Sequence, residues 1–97
     1  VGSLLHDLHI NHVQNPGMYA MNPVDQFHRN CWVAPFVEDD VSDLAKHMPV
    51  ERILFGSDWP HAEGVGHPRD FLKNLTSFSD AEKQRIMVDN ARELTFA

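Results

Sequence analysis

Asp58, His61, Glu63 and His67 follow one another within ten residues, directly after the apolar run Arg52-Ile53-Leu54-Phe55-Gly56. Carboxylate and imidazole side chains are the natural ligands of zinc and similar divalent ions. A carboxylate beside an activated water also serves as a general base. The same four residues have a plainer reading, in which Asp58 caps a turn and the histidines are loop residues. Spacing alone leaves both open, although loops that follow strands carry binding chemistry more often than other segments. Trp59 either walls a substrate pocket or packs at the strand end. A second group, His6, His9 and His12, is spaced by three, so on a helix it drifts along one face. No carboxylate or thiol completes it, which favours solvent-facing or partner-facing rings. Arg29, at the entrance of an apolar run, is read as a solvated surface residue. No glycine-rich phosphate loop is present, and Gly56-Ser57-Asp58 lacks the second glycine of a nucleophile elbow.

These side chains need elements to hold them. Leu4, Leu5 and Leu8 stripe a helix over residues 3–14, and Asn15-Pro16-Gly17 stops it. Residues 15–30 read as a loop with a helical turn at Val24–His28 after Pro23. The apolar stretch 31–36 predicts a strand, weakened by Pro35. The acidic Glu38-Asp39-Asp40 precedes a helix of about two turns marked by Val41, Leu44, Ala45 and Met48, ended by Pro49. Residues 52–56 predict the second strand, whose unbroken apolar character suits burial on both faces. Pro68 opens a helix carrying Phe71, Leu72 and Leu75. Ser79 and Glu82 have capping-box spacing, so a last helix starts at Asp80, with a break near Asp89-Asn90. Helix, strand, helix, strand, helix, helix is an α/β order with parallel strands, since parallel neighbours require a crossover between them.

Bulk properties narrow the classes. The chain of 97 residues is one small domain at most, with ordinary apolar content of 42% and charged content of 23%. A net charge of −6 argues against nucleic acid, whose phosphates call for a basic surface. No apolar run reaches the ~18 residues that span a bilayer, and no signal peptide is evident. The single cysteine, Cys31, excludes an internal disulfide framework, fits the cytoplasm, and reads as a buried, inert thiol.

Leu54-Phe55-Gly56-Ser57-Asp58-Trp59-Pro60-His61-Ala62-Glu63-Gly64 resembles the last-strand motif of the amidohydrolase superfamily. The similarity points to the branch of metal-dependent barrel hydrolases and aminocarboxymuconate-semialdehyde decarboxylase-type enzymes. Phe27-His28-Arg29-Asn30-Cys31-Trp32-Val33 is similar to the stretch entering the seventh strand, and Asp89-Asn90-Ala91-Arg92-Glu93-Leu94 to the closing helix. The resemblance implies that residues 1–97 are a single partial domain, the C-terminal portion of a (β/α)8 TIM barrel holding about its last two strands with their helices. It implies that Asp58 is the catalytic and metal-ligating aspartate, acting on a metal-bound water, and that Trp59, His61 and Glu63 line the substrate mouth. The implied cofactor is a divalent metal, zinc, and the implied partner a small-molecule substrate. The chain departs from the family in lacking its His-x-His pair and the further histidines of earlier strands, and a closed barrel takes about 250 residues. The expectation is therefore an incomplete site with no metal bound by this chain alone. It comes with either a missing N-terminal part of the barrel or a homo-oligomer covering the open edges. A catalytically inactive α/β module that oligomerises or binds a partner is the alternative, and a small histidine-based metal-binding protein the third reading.

Overall fold

The computed structural model describes residues 1–61 and 66–96, arranged as two compact units, Val1–Cys31 and Trp32–Ala97. In the first unit, α1 (Gly2–Gln14) buries Leu5, and Asn15 closes it with its backbone N–H on the Asn11 carbonyl. The loop expected at 15–30 is half helix: α2 spans Pro23–Asn30. Its start is encoded locally. The Asn22 side chain accepts the Val24 N–H at 2.9 Å, and Pro23 at the first helical position needs no hydrogen-bond partner for its nitrogen. Cys31, expected to be buried, is half-buried.

In the second unit α3 (Val41–Leu44) is capped by Asp40, which accepts from the backbone of Ser42 and Asp43. Turns continue to Met48, so the apolar positions Val41, Leu44 and Met48 all reach the interior. A 3₁₀ turn at Val50–Arg52 follows. The helix opened by Pro68 is also 3₁₀ in geometry, Pro68–Leu75, and buries Phe71 and Leu75 while leaving Leu72 exposed. The expected capping box is present. Ser79 Oγ accepts the Glu82 N–H at 3.2 Å and the Glu82 carboxylate accepts the Ser79 N–H at 3.0 Å. It starts α4 (Asp80–Gln84), which runs through a π-helical turn at Arg85–Asp89 into α5 (Asn90–Phe96). The break expected near Asp89-Asn90 is thus a widened turn, and the helical path goes on beyond it.

The two expected strands are the main correction. Among the described residues there is no strand, only one isolated parallel bridge between Val33 and Ile53. Val33 N–H donates to Arg52 O at 2.9 Å, and Leu54 N–H donates to Val33 O at 2.8 Å. A strand is defined by its partners, and Pro35 removes a donor from the first segment just past the bridge. The parallel sense is as expected, but the ladder is one residue deep. Ile53, Phe71, Leu75, Ile86 and Val41 are fully buried around it, each contributing about 1.5–3 kcal/mol of apolar transfer. Phe55 adds a tilted ring contact to Phe71, 5.2 Å between centroids.

Candidate functional site

Beyond the bridge the two segments run on side by side and end together. A Cβ placed on Gly56 would lie 3.6 Å from Ala34 Cβ, which shows how near the backbones remain. Residues 34–37 and 56–58 line a cleft of about 230 Å³ at these C-terminal ends. Among the described residues, Asp58 is its only carboxylate.

Asp58 is held in the left-handed region, φ 53°, the only described non-glycine residue with positive φ. Aspartate tolerates this conformation better than most residues, yet it still costs about 1–2 kcal/mol. Such outliers concentrate at binding and catalytic positions. The turn that results is stitched locally: Trp59 N–H donates to Ser57 Oγ at 3.2 Å, and His61 N–H donates to the Asp58 carbonyl at 2.9 Å. The Trp59-Pro60 peptide is cis. Asp58 therefore serves the turn through its backbone, and the residue as a whole is exposed on the cleft.

The sequence alone does not reveal the opposite wall. Phe36 is 64% exposed although it is a large apolar side chain lining a cleft. Its backbone is fixed by a reciprocal pair: Phe36 N–H donates to the Asp39 carboxylate, and Asp39 N–H to the Phe36 carbonyl, both at 3.0 Å. Asn74 steadies the next residue, donating from Nδ2 to the Val37 carbonyl at 3.1 Å. The signal available in sequence is positional, since Phe36 ends one parallel segment as Asp58 ends the other.

Of the remaining expected site residues, Trp59 is 68% exposed, and His61 and His67 are exposed. Glu63 lies outside the described residues. The described residues contain no group of three or more His, Cys, Asp or Glu side chains able to hold a metal ion. On α1, His6 and His9 are exposed, whereas the half-buried His12 packs edge-on against Tyr19 with centroids 5.8 Å apart.

A second cleft of about 330 Å³ lies by the other end of the bridge, lined by Trp32, Glu51, Arg52, Arg85, Glu93 and Leu94. Two of its charged groups pair with each other, and a third lies over an aromatic ring. The Arg52 guanidinium lies 3.9 Å from the Trp32 ring centroid, and Arg85 forms a two-pronged pair with Glu93 at 2.9 and 2.8 Å. Hydrogen bonding to Glu93 raises the Arg85 pKa above its ordinary value.

Comparison with known proteins adds an independent line. The family described as amidohydrolase matches over residues 9–95. A gamma-resorcylate decarboxylase from Polaromonas sp. (strain JS666 / ATCC BAA-500) is 34% identical over 74 residues, covering 73% of this chain and 22% of the relative. One from Rhizobium radiobacter is 32% identical with the same coverage. The crystal structure of an amidohydrolase from Mycobacterium avium subsp. paratuberculosis K-10 matches with a TM-score of 0.91 at 41% identity, over 96% of this chain and 24% of that one. The chain thus spans about a fifth to a quarter of the length of these proteins.

Proposed function

Because the chain belongs to the amidohydrolase family, we propose that it is the C-terminal part of a metal-dependent barrel enzyme and contributes Asp58 to that enzyme's reaction centre. The observation that carries this reading is the placement of Asp58. It is an exposed carboxylate residue at the C-terminal end of a parallel segment, in a left-handed turn, on a cleft. In (β/α)8 barrels the chemistry sits at that end of the strands. Residues 1–97 would form a single partial domain holding about the last two barrel positions with their helices. The activity is a hydrolysis or a non-oxidative decarboxylation of a small carboxylated or cyclic molecule. Kinship with proteins named gamma-resorcylate decarboxylase supports the second. Trp59, His61 and Glu63 are assigned to the substrate side, together with Phe36.

The described residues do not by themselves fit a metal. A catalytic zinc takes about three protein ligands, and the cleft offers one carboxylate among the described residues. A bound divalent ion would supply acidification of water toward neutrality. What this chain contributes is a carboxylate that ligates or accepts a proton at Oδ1 or Oδ2, and an apolar side chain, Phe36, on the same cleft. Calorimetric zinc titration and hydrolase and decarboxylase assays on the 97-residue chain test the incompleteness. The expected result is background turnover and no stoichiometric tight binding. A one-to-one zinc site abolished in Asp58→Asn would contradict it.

A second reading, an inactive module that oligomerises, is favoured by large exposed apolar side chains, among them Val13 at 62%, Met18 at 69% and Phe96 at 82%. Sedimentation separates the two: a well-folded monomer counts against the module, and a stable dimer supports it.

A further inference from the structure

The segment that leads to Asp58 is gripped on two sides, and the second grip comes from a helix. On one side lies Val33, bonded to Arg52 O and Leu54 N. The groups that point the other way, Ile53 O and Phe55 N, would face an adjacent strand in a continuous sheet. Here the C-terminal helix meets them. Phe55 N–H donates to the Ile86 carbonyl at 3.1 Å. That carbonyl is available because the π turn redirects the Asn90 N–H to Arg85 O, one residue further back than an α-helix would use. Asn90 itself is fully buried and donates from Nδ2 to Ile53 O at 2.8 Å and to Val50 O at 2.7 Å. Two carbonyl acceptors fix which way its amide faces, since only the NH2 end supplies two hydrogens. Its Oδ1 is buried with no donor among the described residues. Placing that oxygen in the interior is costly, so the donor end is what the site requires.

We propose that Asn90, through the π turn at Arg85–Asp89, is a positioning residue that sets the backbone of residues 53–55 and thereby the left-handed turn presenting Asp58. The inference rests on the reading of Asp58 as the reactive carboxylate, but its test does not use activity. The two can therefore fail separately. A side-chain amide serves where a neighbouring strand would otherwise pair, so the direction of the segment at Phe55 depends on the helix register. Three residues later that direction has become the aim of Asp58.

The test is amide exchange and backbone coupling by NMR on the whole chain. In the unaltered protein the Phe55 amide should exchange together with the amides of the helix from Asp80 to Phe96, as one opening unit. In Asn90→Leu, with the same branching and heavy-atom count but bulkier and without donors, Phe55 exchange should rise about ten- to a hundredfold, the effect of two buried hydrogen bonds lost together. The φ-dependent coupling of Asp58 should move away from its left-handed value at a temperature where helical circular dichroism matches the parent. Asn90→Ser, which keeps one short donor, should fall between. An unchanged Asp58 coupling in a folded Asn90→Leu would overturn the proposal. So would a Phe55 amide that exchanges as freely as an unstructured one while the helix stays protected, a result that needs no variant at all.

Discussion

Residues 50–55 and 56–61 are consecutive, yet they are held in opposite ways. The first half is tied to Val33 on one side and to Ile86 and Asn90 on the other, and Ile53 at its centre has no exposed surface. The second half is bonded within itself, through Ser57 Oγ and the Asp58 carbonyl, and Gly56, Asp58, Trp59 and His61 are exposed. Fixed backbone followed at once by an open, conformationally costly turn is the arrangement expected where a scaffold presents a reactive group. Stability resides in the first half, and the proposed chemistry in the second.

Substitutions should separate the halves. Ile53→Ala should cost roughly 2–5 kcal/mol, because it leaves a cavity in the core that Phe71, Leu75 and Ile86 share. Chemical denaturation at constant slope measures it, and a loss below about 1 kcal/mol would mean that the bridge region is not the core. Asn90→Leu should cost about 1–3 kcal/mol by removing two buried hydrogen bonds, which leaves Ile53 O without its donor while Val50 O keeps the Ile53 N–H. At the start of the helical run that carries Asn90, Ser79→Ala should cost about 1 kcal/mol through loss of the capping box. Trp59→Ala, in the open half, should fall within about 0.5 kcal/mol of the parent, as exposed substitutions usually do. A large loss there would erase the contrast.

The helices are legible to the extent that their signals are local. The helix marked by Leu4, Leu5 and Leu8 and the Ser79–Glu82 box rest on signals within a turn or two of chain, and both appear in the structure. Of the three leucines only Leu5 is buried, and Leu4 is exposed. Asn22-Pro23 is an equally local signal, and it starts all of α2 where the sequence suggests a single turn. The strands are not legible as such, because the apolar run at 52–56 records burial whereas a ladder requires partners, and only Val33 supplies one among the described residues. The π turn at Arg85–Asp89 has no composition of its own. It exists because Ile86 and Asn90 answer backbone groups more than 30 residues away in sequence. Asp58 is singled out in sequence by its place after an apolar run, whereas its left-handed turn has no signal there. Phe36 is not, because its partner in the cleft comes from the other parallel segment, a proximity that only pairing reveals.

Whether Asp58 is the reactive carboxylate that this segment lends to a larger barrel can be decided by grafting. The Polaromonas gamma-resorcylate decarboxylase would receive the matching 73% of this chain, a stretch that contains Asp58, in place of its own matching 22%. One chimera would keep Asp58, and a second would carry Asp58→Asn. The first should decarboxylate measurably and the second should show a kcat lower by about 10²–10⁴, with thermal midpoints alike. Equal turnover by the two chimeras would contradict that role for Asp58.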